Sequence, residues 1–404
     1  MRFLTVGNMY PPHHQGGYEL IWQSADDHLR SNGHEVRVLT TTHREPGIEA
    51  SDEGDVHREL RWYWRDHGFP PISLRRRIEL ERANANVLDR HLADFEPDAI
   101  GWWAMGGMSL SLIERARRAG LPAAGFVCDD WMTYGPRVDA WTRAFDRPVL
   151  RSLVGRLTGM PVRLDLDAAG PWVFLSDFIR RAAVERWGLS DTEVAHDGVD
   201  AALFRPAEPR EWSWRLAYVG RVDPRKGVEL AIRSLTHLPD AATLEVVGGG
   251  DAEYLAELGR LAADLGLSDR VRFAGPVARE ELPDRYSDAD AILFPVLWEE
   301  PWGLVPLEAM AVGVPVIASG RGGSGEYLRD GENCLLFDPD RGPAALAAEV
   351  QRLAATDETR AALREAGFET SRGIKESDFE KAVEAALTGA VRTRAGNGRP
   401  RAGR

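Results

Sequence analysis

The sequence predicts an α/β protein made of two doubly wound, Rossmann-like halves. Three observations carry that prediction. At 404 residues the chain exceeds what one ordinary core organises, so two domains are the natural division. Short apolar runs alternate with helix-like stretches along most of it, the pattern of a parallel sheet covered by helices. The runs also fall into two series, separated by the polar, proline-bearing segment Phe204-Arg205-Pro206-Ala207-Glu208-Pro209.

In the first series the apolar runs are Phe3–Val6, Val36–Leu39, Asp98–Trp102, Ala123–Val127 and Trp172–Leu175, with helices over Tyr18–Arg30 and Ser109–Ala119. The stretch 136–170 breaks the alternation. It sets Trp141, Phe145, Leu150, Leu153, Val154 and Leu157 among Arg143, Arg147, Arg151 and Arg156, a basic amphipathic pattern. It reads first as a helix packed on the sheet with solvated arginines; holding an acceptor or touching an anionic membrane through 143–163 are the functional alternatives. The second series runs through Arg215–Val219, Leu244–Val247, Val271–Ala274, Ala291–Pro295 and Pro315–Ala318. The domains are therefore expected over 1–204 and 205–376, followed by a final helix near 377–390. The Gly/Arg-rich tail 391–404 is expected to be disordered.

Composition excludes several classes. Hydrophobic residues make up 44% and charged residues 28%, the balance of a soluble globular protein, and no apolar run reaches the ~20 residues that span a bilayer. The N-terminus enters a strand at once, with no charged leader and long apolar stretch, so a cytoplasmic location is expected. Cys128 and Cys334 alone make neither a disulfide framework nor a zinc site. A net charge of −13 argues against nucleic acid, whose binding needs a basic face. Basic residues are nearly all arginine, which makes Lys226 stand out.

The most informative stretch is Trp298-Glu299-Glu300-Pro301-Trp302-Gly303-Leu304-Val305-Pro306-Leu307-Glu308-Ala309-Met310. It follows a buried strand, and Pro306 is tolerable only in a first helical turn, so Gly303, Leu304 and Val305 open a helix. Free amides and the positive dipole end make such a terminus suited to a phosphate. Glu308, among Leu307, Ala309 and Met310, is a costly carboxylate unless something such as a ribose hydroxyl donates to it. Glu300 lies in the loop facing the same terminus.

Other loops carry matching chemistry. Strand Leu216–Val219 runs into Gly220-Arg221-Val222-Asp223-Pro224-Arg225-Lys226-Gly227, where Arg221 and Lys226 can grip a diphosphate, one as a planar fork and one as a point charge. The loop leaves the C-terminal edge of a strand, where such folds bind ligands. Gly248-Gly249-Gly250 and Gly322-Gly323-Ser324-Gly325-Glu326 also follow strands, and the first lets a base or phosphate approach at Gly249. Gly16-Gly17, ahead of the first helix, allows the same but is a weaker signal alone.

Together, Gly220-Arg221 with Lys226-Gly227, the Glu300/Glu308 pair and Gly322–Glu326 resemble the retaining glycosyltransferases of family 4. The resemblance covers nearly the whole chain, is strongest in the second half, and in the first rests on Gly16-Gly17, Asp129-Asp130-Trp131 and Gly198-Val199-Asp200. It implies the GT-B fold, with two Rossmann-like domains facing a central cleft and the final helix packed back on the first. It implies a nucleotide-diphosphate sugar as donor, no cofactor beyond it, and a hydroxylated acceptor. Arg221 and Lys226 then hold the phosphates, Glu308 the ribose, and Glu300 the donor sugar hydroxyls. Trp302 and the helix start at Gly303, Leu304 and Val305 border the donor, and Gly16-Gly17 closes over the diphosphate.

Two positions depart from the family. Many members carry a histidine before Asp129, where this chain has Cys128, so the sugar contacts of Cys128, Asp129, Asp130 and Trp131 are open to change. Asp197 stands where an asparagine usually precedes Gly198. The resemblance implies front-face retention, with Glu300, Arg221 and Lys226 acting electrostatically; no metal is required if these cations neutralise the leaving group, and no Asp-x-Asp metal motif near the cleft contradicts this. A GT-B nucleotide-sugar 2-epimerase, a non-catalytic nucleotide-sugar-binding protein and a dehydrogenase are the alternatives. Epimer formed from donor alone, absence of turnover, and NAD(P)H binding would mark each in turn. The donor base, its sugar, the acceptor and the oligomeric state are left open by the sequence.

Overall fold

The structure is a computed structural model; it describes residues 1–14, 16–45, 47–48, 54–64, 68–145 and 154–397, the side chains of 395–397 excepted. The chain divides into two compact units, Met1–Ala195 with Asp378–Arg404, and His196–Ser377.

The first unit carries β1 (Arg2–Val6), β2 (Glu35–Thr41), β3 (Val56–Leu60), β4 (Ala99–Trp102), β5 (Ala123–Val127), β6 (Trp172–Phe174) and β7 (Thr192–Val194). They form one parallel sheet in the order β3-β2-β1-β4-β5-β6-β7. Its helices are α1 (Gly17–Ser31), α2 (Leu74–Phe95), α3 (Ser111–Arg118), α4 (Trp131–Val138) and α5 (Asp177–Trp187). Central strands such as β4 and β5 are buried along their whole length, as strands covered on both faces must be.

The second unit carries β8 (Arg215–Val219), β9 (Thr243–Val247), β10 (Val271–Gly275), β11 (Ala291–Phe294), β12 (Val316–Ala318) and β13 (Leu335–Leu336). They pair in the order β10-β9-β8-β11-β12-β13. The helices are α6 (Val228–Ser234), α7 (Ala252–Asp264), α8 (Leu282–Ser287), α9 (Leu304–Val312), α10 (Pro343–Ala355) and α11 (Asp357–Gly373). Leu216, Val246, Leu293, Ile317 and Val350 sit in its core. In both sheets the strand order reverses once, between β1 and β4 and between β8 and β11. That crevice at the strands' C-terminal ends is where open α/β sheets take ligands.

Two boundaries differ from those predicted. His196–Phe204 belongs to the second unit rather than the first, because Gly198 packs so closely on Ile374 that a Cβ would stand 2.1 Å from its carbonyl oxygen, and Val199 bridges Lys375. The last helix, α12, spans Glu376–Asn397 and so runs well into the segment expected to be a disordered tail. Nothing after Gly389 breaks it, and Thr393 Oγ1 donates back to the Gly389 carbonyl at 3.0 Å. Residues 398–404 lie outside the described residues. α12 is held in the first unit by buried Phe379, Val383 and Leu387, spaced four apart, and by Glu384, which accepts from His28 and His34 at 3.0 and 3.1 Å.

Candidate functional site

In the second unit the loops after β8 and β11 meet at the reversal point. The first of them, Gly220–Gly227, is pinned from below. Gly227 has φ +75°, and a Cβ there would stand 1.9 Å from the Pro295 carbonyl oxygen, so only glycine lets this loop lie against the end of β11. The pinning brings Lys226 Nζ to 2.6 Å from Glu300 Oε2, with the two side chains 17% and 11% exposed. Trp298 Nε1 donates to the same oxygen at 2.8 Å. Arg221 is exposed and forms no ion pair among the described residues.

Behind Glu300 stands the Gly322–Glu326 loop. Gly323 N donates to the Glu300 carbonyl at 2.6 Å, and at Gly322 a Cβ would lie 2.3 Å from that same oxygen. These glycines hold the glutamate's backbone in place. α9 starts just beyond, with Gly303 at φ +90° as N-cap and Pro306 within its first turn. The Gly303 carbonyl accepts from Tyr327 Oη at 2.5 Å. The N-cap makes no side-chain hydrogen bond among the described residues, so the first amides of the helix, those of Leu304 and Val305, are uncapped.

Glu308, 5% exposed, has protein partners that the sequence did not reveal. Tyr286 Oη donates to Oε2 at 2.6 Å and Arg279 Nη1 approaches Oε1 at 3.4 Å. Burial raises its pKa above the usual carboxylate range, with Arg279 and the Tyr286 hydrogen bond pulling the other way. The expectation that only a ligand can satisfy this carboxylate is therefore corrected: Tyr286 and Arg279 already donate to it. Its Oε1 keeps spare acceptor capacity, since the Arg279 contact is long. Trp302 is also better explained by packing: it is 1% exposed, stacks on His196 at 4.3 Å and donates to the Asp197 carbonyl at 2.9 Å. Only its backbone is left to border a donor.

The Gly248–Gly250 turn separates into two kinds of glycine. At Gly248 and Gly250 a Cβ would collide with the carbonyl oxygens of Gly220 and Val222, at 1.9 and 2.2 Å. At Gly249 it would meet nothing nearer than Pro276 at 3.9 Å. The protein therefore needs glycine at the first two, and space lies open at the third.

In the first unit, Gly16 and Gly17 lie exposed at the start of α1, where Gly16 N donates to Glu19 Oε2 at 3.1 Å. Cys128 directly follows β5 and is 5% exposed, and Trp131 is fully buried. Asp129 Oδ1 accepts from the Trp131 amide at 3.0 Å, and Oδ2 accepts from Tyr134 Oη at 3.3 Å. Burial, with the neighbouring Asp130 charge, pushes Asp129 up to about 7. Asp130 is partly exposed beside it.

The stretch after α4 is not one amphipathic helix. Pro136 sits inside α4, and Trp141, Phe145, Met160 and Val162 form a small core of their own. Of the residues in that pattern, Arg147, Leu150, Arg151 and Leu153 lie outside the described residues. Arg137, Arg143, Arg163 and Arg186 line a cavity of about 490 Å³, and none forms an ion pair among the described residues.

The Asp-x-Asp triplets of the chain are engaged elsewhere. Asp290 Oδ2 accepts from the amides of Ser213 and Arg215, and Asp288 pairs with Arg210. Asp165 and Asp167 cap Ala168 and Ser190, while Asp338 caps Asp340, which pairs with Arg321. Among the described residues, no helix is long and apolar enough to cross a membrane.

The family model described as glycosyl transferases group 1 matches residues 201–370. A GDP-mannose-dependent alpha-(1-6)-phosphatidylinositol monomannoside mannosyltransferase of Mycobacterium tuberculosis is 29% identical over 358 residues, 83% of this chain and 85% of that protein. A D-inositol 3-phosphate glycosyltransferase of Streptomyces bingchenggensis is 37% identical over 182 residues, 40% of each chain. Among solved structures, sucrose-phosphate synthase from Thermosynechococcus elongatus aligns with a TM-score of 0.70 at 23% identity, over 98% of this chain and 99% of the other. Anabaena Alr3699/HepE in complex with UDP and glucose gives a TM-score of 0.70 at 19% identity, over 96% and 100%. Both share the GT-B fold seen here.

Proposed function

We propose, from the match of residues 201–370 to the group 1 glycosyltransferases and the likeness to the mannosyltransferase over most of the chain, that this protein moves a hexose-type sugar from a nucleotide-diphosphate donor to a hydroxylated acceptor with retention of configuration and without a metal. The observation that carries this is the Lys226–Glu300 pair at 2.6 Å, set between the loop bearing Arg221 and the uncapped start of α9.

Breaking the bond between C1 and the phosphate oxygen leaves charge on the diphosphate. Arg221, Lys226 and the amides of Leu304 and Val305 stabilise that charge where it develops, which is the most effective place for a fixed cation or dipole. Lys226 is pre-aimed by Glu300, so it needs no reorganisation at the moment of reaction. The acceptor oxygen bonds to C1 on the face the diphosphate leaves, and its proton passes to a phosphate oxygen. Glu300 takes hydroxyls of the donor sugar, and Glu308 takes the ribose through Oε1. Asp129 and Asp130 belong to the sugar and acceptor side, and Cys128 packs beneath them.

The arginine-lined cavity of the first unit is suited to an anionic group on the acceptor. The names of the relatives put GDP-mannose first among donors to try, and inositol-bearing acceptors first among acceptors. A thermal-shift panel of UDP-, GDP-, ADP- and dTDP-sugars tests the reading. A donor at 100 times its dissociation constant adds about 2.7 kcal/mol to apparent stability, and a shift with none of them would count against the assignment only if the free diphosphates also fail.

A further inference from the structure

The edge strand β3 and helix α2 of the first unit bring together three side chains that the proposed reaction does not use. His57 and Glu59 stand two residues apart on β3, hence on one face of the strand, and His91 lies on the inward stripe of α2 with Asn84, Leu88 and Phe95. One ligand atom from each of the three falls within 4.8 Å of the others. His57 Nδ1 is 3.6 Å from Glu59 Oε1, and His91 Nε2 is 3.4 Å from Glu59 Oε2.

A tetrahedral zinc ion with bonds of about 2.0–2.1 Å places its ligand atoms about 3.3–3.4 Å apart. Each imidazole stands close to that distance from one of the two Glu59 oxygens. Hydrogen bonds between the same groups would be shorter, near 2.8 Å. His91 supplies the independent observation. Its side chain is 5% exposed, and among the described residues neither ring nitrogen has a hydrogen-bond partner. A buried imidazole left unbonded at both nitrogens is costly, and a bound cation removes that cost.

We infer that His57, Glu59 and His91 form a binding site for a divalent transition metal of the zinc type, which ties the edge strand β3 to α2. Two imidazoles and a carboxylate suit zinc and cobalt and give three protein ligands, leaving a fourth position for water. Arg90 competes for it. Its guanidinium pairs with Glu59 Oε2 but is 60% exposed, so it can turn to solvent at little cost when a cation arrives. Arg37, the other cation close by, is already paired with Asp94 at 2.8 Å.

The test is titration of the untagged full chain, freed of metal by a chelator, with Zn²⁺ in a calorimeter and with Co²⁺ by visible absorption. One equivalent is expected to bind, with tetrahedral cobalt bands and a raised melting temperature. His57→Gln, at a partly exposed position, and His91→Gln are each expected to weaken binding at least roughly tenfold. Arg90→Ala is expected to tighten it by up to about fivefold, the equivalent of removing a surface ion pair. No stoichiometric binding to the wild-type chain overturns the inference, and so does binding that His57→Gln leaves unchanged.

Discussion

Replacing Lys226 by alanine separates a structural role from a catalytic one. The ammonium stands 2.6 Å from Glu300 Oε2, and its loss leaves that oxygen, among the described residues, with the Trp298 indole alone, at 2.8 Å. Breaking a fully buried pair costs about 3–5 kcal/mol, and an exposed pair about 0–1 kcal/mol. With side chains 17% and 11% exposed, this pair falls between the two limits. A loss of about 1–3 kcal/mol is expected, read as a fall of about 2–4 °C in melting temperature per kcal/mol. Turnover is expected to fall further, by about 10²–10³, the usual effect of removing one group that stabilises transition-state charge. Because Glu300 aims Lys226, the Lys226→Ala/Glu300→Ala double variant should be little worse than the poorer single variant. The assay is initial rate at saturating donor, alongside melting curves. A Lys226→Ala enzyme that melts earlier yet turns over within about threefold of wild type would refute the phosphate grip and leave only the ion pair.

Further expectations rest on other contacts. Glu308→Ala should mainly raise the apparent donor constant, whereas Glu300→Ala should mainly lower the rate; the reverse pattern would show the two roles to be wrongly divided. Gly249→Ala has no protein neighbour to strike, so stability should hold while donor affinity falls, and unchanged donor affinity would remove Gly249 from the site. Burial raises Asp26 to about 8, so it favours folding most fully at low pH, and that contribution is lost as pH rises from about 4 towards 8, at no more than about 1.4 kcal/mol per pH unit. Melting temperature should therefore fall across that window, and Asp26→Asn should reduce the slope without abolishing it, since Glu81 and Asp129 are raised to about 8 and about 7. An unaltered slope in Asp26→Asn would contradict the assignment. Cys128 is buried, so Cys128→Ser should lower stability and leave the ranking of competing donors unchanged; a changed ranking in Cys128→Ser or Cys128→His would give it a sugar contact instead.

The two series of strands were legible because central strands of parallel sheets are buried on both faces and read as unbroken apolar runs. β3, β7 and β13 were not. Val56-His57-Arg58-Glu59-Leu60 is an edge strand with one apolar residue at each end, and β13 has two residues in all. α2 escaped notice because its inward stripe mixes Leu80, Ala85 and Leu88 with buried Glu81, Asn84 and His91, which blurs the helical period. At the candidate site, the loops, the helix start and the two glutamates could be read locally. Their partners could not: Lys226 reaches Glu300 across 74 residues, and Tyr286 reaches Glu308 across 22. Such pairings depend on which loops the sheet order brings together, and no local spacing encodes them. The buried carboxylates drew attention as ligand sites, yet the fold supplies each with donors of its own.

The stereochemistry at C1 tests the central claim most directly. Product formed from an α-linked nucleotide hexose and an acceptor found by screening is examined by proton NMR. An α-linked product is predicted, because the acceptor enters on the face from which the diphosphate, held by Arg221 and Lys226, departs. A β-linked product would contradict that account.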